Sequence, residues 1–117
     1  AIDVLAMASG EKWLALGDMG ELGDAAVELH REAGRHARDA GIDRLFTLGE
    51  LARGAVAGFG SGTACDTQHA LLEALQADLH ENVNILVKGS RRMRMEQVVE
   101  LLGASVRGTS GNAEVRH

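Results

Sequence analysis

Four short apolar runs recur along the chain, each followed by a stretch in which apolar residues return at helical spacing. The first, Lys12-Trp13-Leu14-Ala15-Leu16, runs into Gly17-Asp18 and predicts a buried strand. Ahead of it, Ala1 to Ala8 reads as the last turns of a helix, with Ser9-Gly10 as its stop signal. Residues 18–24, Asp-Met-Gly-Glu-Leu-Gly-Asp, are too rich in glycine to extend the strand and predict a loop. Ala26, Leu29, Ala33, Ala37 and Ala40 then mark a helix, and Gly41 stands where helices favour glycine. Arg44 to Gly49 predicts a second strand, and a helix from about Glu50 to Phe59 follows it until Gly58-Phe59-Gly60-Ser61-Gly62 breaks the pattern. Ala64 to Thr67 gives a weak third strand. Leu71, Leu72, Leu75 and Leu79 stripe the next helix, with Asp66 or Thr67 as its cap. Asn84 to Val87, β-branched and bounded by polar residues, is the clearest strand, and it ends in Lys88-Gly89-Ser90-Arg91. Met95, Val98, Val99 and Leu102 mark a final helix stopped at Gly103, and residues 104–117, which lack an apolar period, are expected to form a flexible tail.

Short apolar strands alternating with helices predict βαβ units: an α/β, Rossmann-like three-layer domain. Its sheet is expected to be mostly parallel, of four or more strands, with helices on both faces. Right-handed crossovers in a doubly wound pattern put the strands in the order 3-2-1-4. Ligands of such sheets bind at the carboxyl ends of the strands flanking the switch point. The loops there are Gly17–Gly23 and Lys88–Arg94, the two most unusual stretches of the chain.

Composition narrows the class. The 117 residues suffice for one domain, and 45% hydrophobic with 25% charged residues is the profile of a soluble globular protein. No apolar run approaches the ~20 residues of a membrane span. The single cysteine, Cys65, cannot form an internal disulfide, and no Cys/His cluster has zinc-site spacing. These features read as cytoplasmic. A formal net charge of -5 and only three aromatic residues (Trp13, Phe46, Phe59) argue against nucleic acid as a partner. Fifteen glycines, no proline and a first residue other than Met suggest a piece cut from a longer protein.

Two constellations carry candidate chemistry. Lys88-Gly89-Ser90-Arg91-Arg92-Met93-Arg94 places four cations between a buried strand and a helix start on an acidic chain. Ser90, free backbone N–H groups and the helix dipole there suit an anion, each terminus contributing about 0.3–1 kcal/mol. The same residues also fit a solvated basic face with Ser90 as an ordinary cap. In Gly17-Asp18-Met19-Gly20-Glu21-Leu22-Gly23 the glycines allow close backbone approach. Asp18 and Glu21 there either hold a cation or ligand ammonium, or merely cap the turn. An acidic loop facing a basic one suits a zwitterion.

Other motifs fail on context. Gly58-x-Gly60-x-Gly62 follows a helix rather than a first strand, and no Walker-type phosphate loop occurs. His30, close in sequence to the acidic loop, is either structural or part of the pocket. His36, His69, His80 and His117 read as surface residues, and Cys65, without a base partner, reads as a small core residue.

Read together, Leu16 to Gly23, His30 six residues after Asp24, Ala40-Gly41-Ile42-Asp43, and Leu86 to Arg91 through Met95-Glu96 resemble the C-terminal domain of the Mur ligases. The resemblance runs from Ala1 to about Gly103, and the pairing of LGDM-x-ELG with LVKGSR at this separation is its most specific part. It implies a three-domain, ATP-dependent amide ligase of peptidoglycan precursor synthesis. In the branch with these motifs, D-alanyl-D-alanine is added to UDP-MurNAc-tripeptide through an acyl phosphate. Residues 1–8 would be the end of a linker helix from a central domain, and 9–103 the substrate-binding domain. ATP and Mg would be held mainly by that central domain, so the piece alone, carrying no catalytic or metal-binding residue of its own, is expected to be inactive. The resemblance also implies roles. Ser90 and Arg91, with backbone N–H groups around Gly89, would receive the dipeptide carboxylate, and Lys88 would contact it or reach toward the γ-phosphate. Asp18, Met19 and Glu21 would line the other side, with Leu22, Gly23 and His30 as further pocket residues. Arg92 and Arg94 make the loop unusually basic, and the resemblance assigns them no role.

Two other classes compete. A non-enzymatic receiver-like module would need acidic residues clustered at the ends of its first and third strands to hold magnesium. Asp18 and Asp66 are the available acids, but no second acid adjoins Asp18 at the first strand. A bare anion-binding α/β module is the third reading.

Overall fold

A computed structural model describes residues 10–19, 23–79, 83–89, 97, 105–109 and 112–116. Its elements are strand β1 (Glu11–Gly17), a 3-10 turn (Gly23–Ala25), helix α1 (Ala26–Asp39), β2 (Arg44–Leu48), α2 (Gly54–Phe59), β3 (Thr63–Cys65), α3 (Gln68–Asp78), β4 (Val83–Lys88), β5 (Ser105–Thr109) and β6 (Asn112–Arg116). They build one sheet in the order β3-β2-β1-β4-β6-β5. β1 to β4 are parallel, in the expected 3-2-1-4 arrangement. The opening turns at 1–8 and the final helix expected around Met95–Leu102 lie outside the described residues, apart from Gln97, which is helical.

Strand alternation divides the core in two. Trp13, Ala15, Phe46, Leu48, Ile85 and Val87 face one side, where Leu71 and Leu75 of α3 cover them. Leu14, Leu16, Leu45 and Leu86 face the other, under Ala37 of α1 and Ala55 and Phe59 of α2. Central strands covered on both faces must be apolar throughout, which is why β1 and β4 read as continuous runs instead of alternating ones. Each fully buried Leu, Ile or Phe contributes about 1.5–3 kcal/mol. Trp13 and Phe46 pack with their rings tilted by 42° and centroids 5.2 Å apart, on the α3 side of the sheet. The Arg44 guanidinium lies 5.0 Å and 4.8 Å from their two rings and pairs with Asp78 at 2.6 Å, tying the start of β2 to the end of α3.

Three expectations change. Within the stretch expected as a flexible tail, Ser105–Thr109 and Asn112–Arg116 are strands that pair antiparallel with each other, and the second pairs with β4, Ile85 opposite Val115. The edge of β4 offers a row of unpaired backbone groups, and a polar hairpin can satisfy them without an apolar period of its own. Helix α2 begins at Gly54, later than Glu50, because residues 50–53 form turns in which Arg53 N–H bonds Gly49 C=O. On α1 the expected stripe holds at Ala37, which is buried, and at Ala33 and Ala40, which pack on the core, but not at Leu29. Leu29 is 43% exposed, while His30, Gly34 and Ala37 point inward.

The exchange of Leu29 for His30 and Gly34 on the buried face follows from how closely α1 and α2 approach. A Cβ at Gly34 would overlap the Ala55 carbonyl, and one at Gly58 would overlap the carbonyl of Arg31. Only small residues fit such a seam, and a leucine on it would push the helices apart. Gly58 in the glycine-rich break is therefore a packing residue. At α3, Thr67 is the cap, its hydroxyl accepting from the Ala70 amide at 3.0 Å.

Candidate functional site

Parallel pairing of β1 with β4 sets Leu16 opposite Lys88, so the two unusual loops leave neighbouring strands at the same, carboxyl edge of the sheet. Neighbouring strands lie about 4.8 Å apart, which places the start of the acidic loop beside the start of the basic one. Strand alternation puts Lys88 on the α1/α2 side with Leu86. Lys88 and Gly89 are half-buried. Glu21, Leu22, Ser90, Arg91, Arg92 and Arg94 lie outside the described residues.

The acidic loop is anchored at its first two residues. Asp18 continues β1, its amide donating to Leu48 C=O at 3.2 Å. Its carboxylate turns toward the end of β2, where Oδ1 accepts the Ala52 amide at 2.6 Å. The free N–H groups of a turn that leads into a helix favour such a negatively charged acceptor. Gly49 makes room for it. Its φ is +108°, and a Cβ there would stand 2.5 Å from the Asp18 carboxyl carbon. One Asp18 oxygen is thus engaged within the fold.

Met19 is held from the other side. Its side chain packs on the α1/α2 core, and its amide donates to His30 Nε2 at 2.9 Å. His30 is fully buried, and its Nδ1 stands 2.5 Å from the Ala26 carbonyl oxygen. A ring that accepts at Nε2 carries its proton at Nδ1, so this is the neutral tautomer donating to Ala26. Gly23 opens the 3-10 turn and is exposed.

The structure therefore brings Asp18, Met19, His30, Lys88 and Gly89 to one edge of the sheet. Sequence reading missed Gly49 and the Ala52 amide, which are 31 and 34 positions from Asp18. A glycine directly after a strand was the available signal for the first. For His30, the signal was its place among small residues at helical spacing, Ala26, Ala33, Gly34 and Ala37. Cys65 is buried as expected, and burial, reinforced by the Asp66 carboxylate, raises its thiol pKa. His36 and His69 are exposed.

The receiver-like reading finds no support here. Asp18 is tied to Ala52, and Asp66 pairs with Arg53 at 2.5 Å. Among the described residues no three His, Cys, Asp or Glu side chains are grouped to hold a metal ion. Among the same residues no helix is long and apolar enough to cross a membrane.

Residues 1–91 match the family described as Mur ligase, glutamate ligase domain. The chain is 38% identical over 104 residues to the UDP-N-acetylmuramoyl-tripeptide–D-alanyl-D-alanine ligase of Escherichia coli (strain K12), covering 87% of this chain and 23% of that protein. The ligase of the same name from Bacillus subtilis (strain 168) is 37% identical over 97 residues, covering 78% of this chain and 21% of that one. A crystal structure of MurF from Acinetobacter baumannii superposes with a TM-score of 0.74 at 30% identity, covering 86% of this chain and 24% of that one. The chain thus spans between a fifth and a quarter of the length of these relatives.

Proposed function

From the premise that the chain belongs to the Mur ligase, glutamate ligase domain family, we propose that it is the dipeptide-receiving C-terminal domain of a UDP-N-acetylmuramoyl-tripeptide–D-alanyl-D-alanine ligase. The observation that supports this reading is the pairing of Leu16 with Lys88, so that the acidic and basic loops start from neighbouring strand ends at the switch point of the sheet. A dipeptide is a zwitterion, and two adjacent loops of opposite charge match its two ends.

On this reading Lys88, the Gly89 backbone, Ser90 and Arg91 receive the carboxylate by charge-assisted hydrogen bonds. The remaining Asp18 oxygen and Glu21 face the amine end, and Met19, packed on the core, holds the loop's base. In the whole ligase the free amine attacks the carbonyl carbon of an acyl phosphate. The amide C–N bond forms, phosphate leaves, and the amine gives up its proton. The reaction also draws on ATP and Mg. Those groups belong, in this proposal, to the rest of the ligase in the cytoplasm. Closing this domain over them would exclude water from a hydrolysable intermediate, the physical advantage of bringing the nucleophile on a separate unit.

Amide chemical-shift titration of the chain with D-alanyl-D-alanine, against L-alanyl-L-alanine and ATP, tests the reading. Shifts confined to residues 17–23 and 88–94 and selective for the D,D dipeptide are expected. An equal response to both dipeptides, or none at millimolar concentration, would remove dipeptide recognition from this chain.

A further inference from the structure

The first two residues of the acidic loop, Asp18 and Met19, are held by hydrogen bonds to sequence-distant elements. Asp18 is fastened to the turn before α2, and Met19 to α1 through His30. Of the two ties the second is the more demanding. A backbone N–H donates to an imidazole nitrogen, which requires an acceptor at that point. The same side chain must donate at its other end to Ala26. Both atoms belong to one fully buried ring, so neither bond can be replaced by water without opening the core.

We infer that His30 is a positioning residue for the ligand-binding loop. As the neutral Nδ1–H tautomer it bridges the Met19 amide and the Ala26 carbonyl, and thereby fixes Met19, at the base of the loop. This rests on the proposed dipeptide-binding role of that loop. His30 itself touches no ligand. It acts through the Met19 amide, while Asp18 steadies the preceding residue against Ala52. The base of the loop then meets the dipeptide already placed, and the cost of ordering Asp18 and Met19 is met on folding instead of on binding.

A nitrogen-labelled sample of the chain tests this in two steps, the first without ligand. A through-hydrogen-bond scalar coupling between the Met19 amide nitrogen and His30 Nε2, with Nδ1 protonated, is expected in the unsubstituted protein. Its absence, or the opposite tautomer, overturns the inference whatever the dipeptide does. The second step compares His30→Gln, which can accept and donate at once, with His30→Leu, which fills the space and can do neither.

In His30→Leu the amides of residues 18–25 are expected to exchange with solvent at least tenfold faster, and the dipeptide dissociation constant to rise at least tenfold. His30→Gln is expected to bring both within about threefold of the starting values. Should both variants lose thermal stability while loop exchange and dipeptide affinity stay unchanged, His30 would be structural only and the inference would fall. If His30→Leu does not fold, the coupling and the His30→Gln comparison still decide. A dipeptide that fails to bind the unsubstituted chain counts against the proposed function, and loop exchange still judges the positioning role.

Discussion

Gly34 on α1 faces the backbone of Ala55 on α2 so closely that a Cβ at position 34 would lie 2.8 Å from the Ala55 carbonyl carbon. Two effects oppose each other in Gly34→Ala. Helix propensity favours alanine by about 1 kcal/mol. The new methyl meets backbone, which cannot swing aside, and overpacking of this kind costs about 1–3 kcal/mol. Net destabilisation is therefore expected, read as a lower urea midpoint. Gly54→Ala is the control. A Cβ there would meet the Val27 carbonyl oxygen at an ordinary 3.5 Å, and a neutral or slightly raised midpoint is expected.

Asp18 and Gly49 form a coupled pair. Removing the carboxylate in Asp18→Ala leaves the Ala52 amide without its acceptor, at an expected cost of about 1–2 kcal/mol. Asp18→Asn keeps an acceptor and should cost less. Gly49→Ala suffers from both its positive φ and the carboxylate in its way. In the double variant the steric part disappears. A double-mutant cycle by chemical denaturation should therefore give less than the sum of the single losses, and strict additivity would show that the two do not touch.

Thr47 lies fully buried on β2, on the α1/α2 side of the sheet, and among the described residues its hydroxyl has no hydrogen-bond partner. A buried hydroxyl without a partner costs free energy, and valine has nearly the same shape. Thr47→Val is expected to raise the thermal midpoint, by an amount corresponding to about 1 kcal/mol. A fall of similar size would reveal a hydrogen bond made by this hydroxyl.

Cys65 supplies a pH dependence of known sign. Burial first, and then the Asp66 carboxylate, raise its thiol pKa in the folded protein. Above about pH 8.5 an unfolded thiol ionises while the folded one keeps its proton. Its contribution to stability is therefore complete below that pH and is lost as pH rises through the folded pKa. Stability of the unsubstituted protein should fall more steeply between pH 8 and 10 than that of Cys65→Ala. Labelling by a disulfide reagent at pH 8 should be slow until denaturant is added.

What could be read from residue order was what local periodicity encodes. The runs at Trp13–Leu16 and Ile85–Val87 are apolar on both faces because each strand is covered twice, and that much needs no partner to be named. Alternation with helices then implied the 3-2-1-4 order and the edge at which Gly17–Gly23 and Lys88–Arg94 emerge. Folding over distance decided the rest. Leu29 had the better apolar claim to the inside of α1, but the glycine seam with α2 turned His30 inward, where it found the Met19 amide. Asp18 read as a holder of a cation or as a cap of its own turn, yet its partner is an amide 34 positions away that no local pattern marks. Residues 105–116 carried no stripe because their strands are specified by the open edge of β4. Periodicity reports which faces a segment must hide. Which distant backbone group a polar atom or an unpaired edge will meet is settled only when the chain has closed on itself.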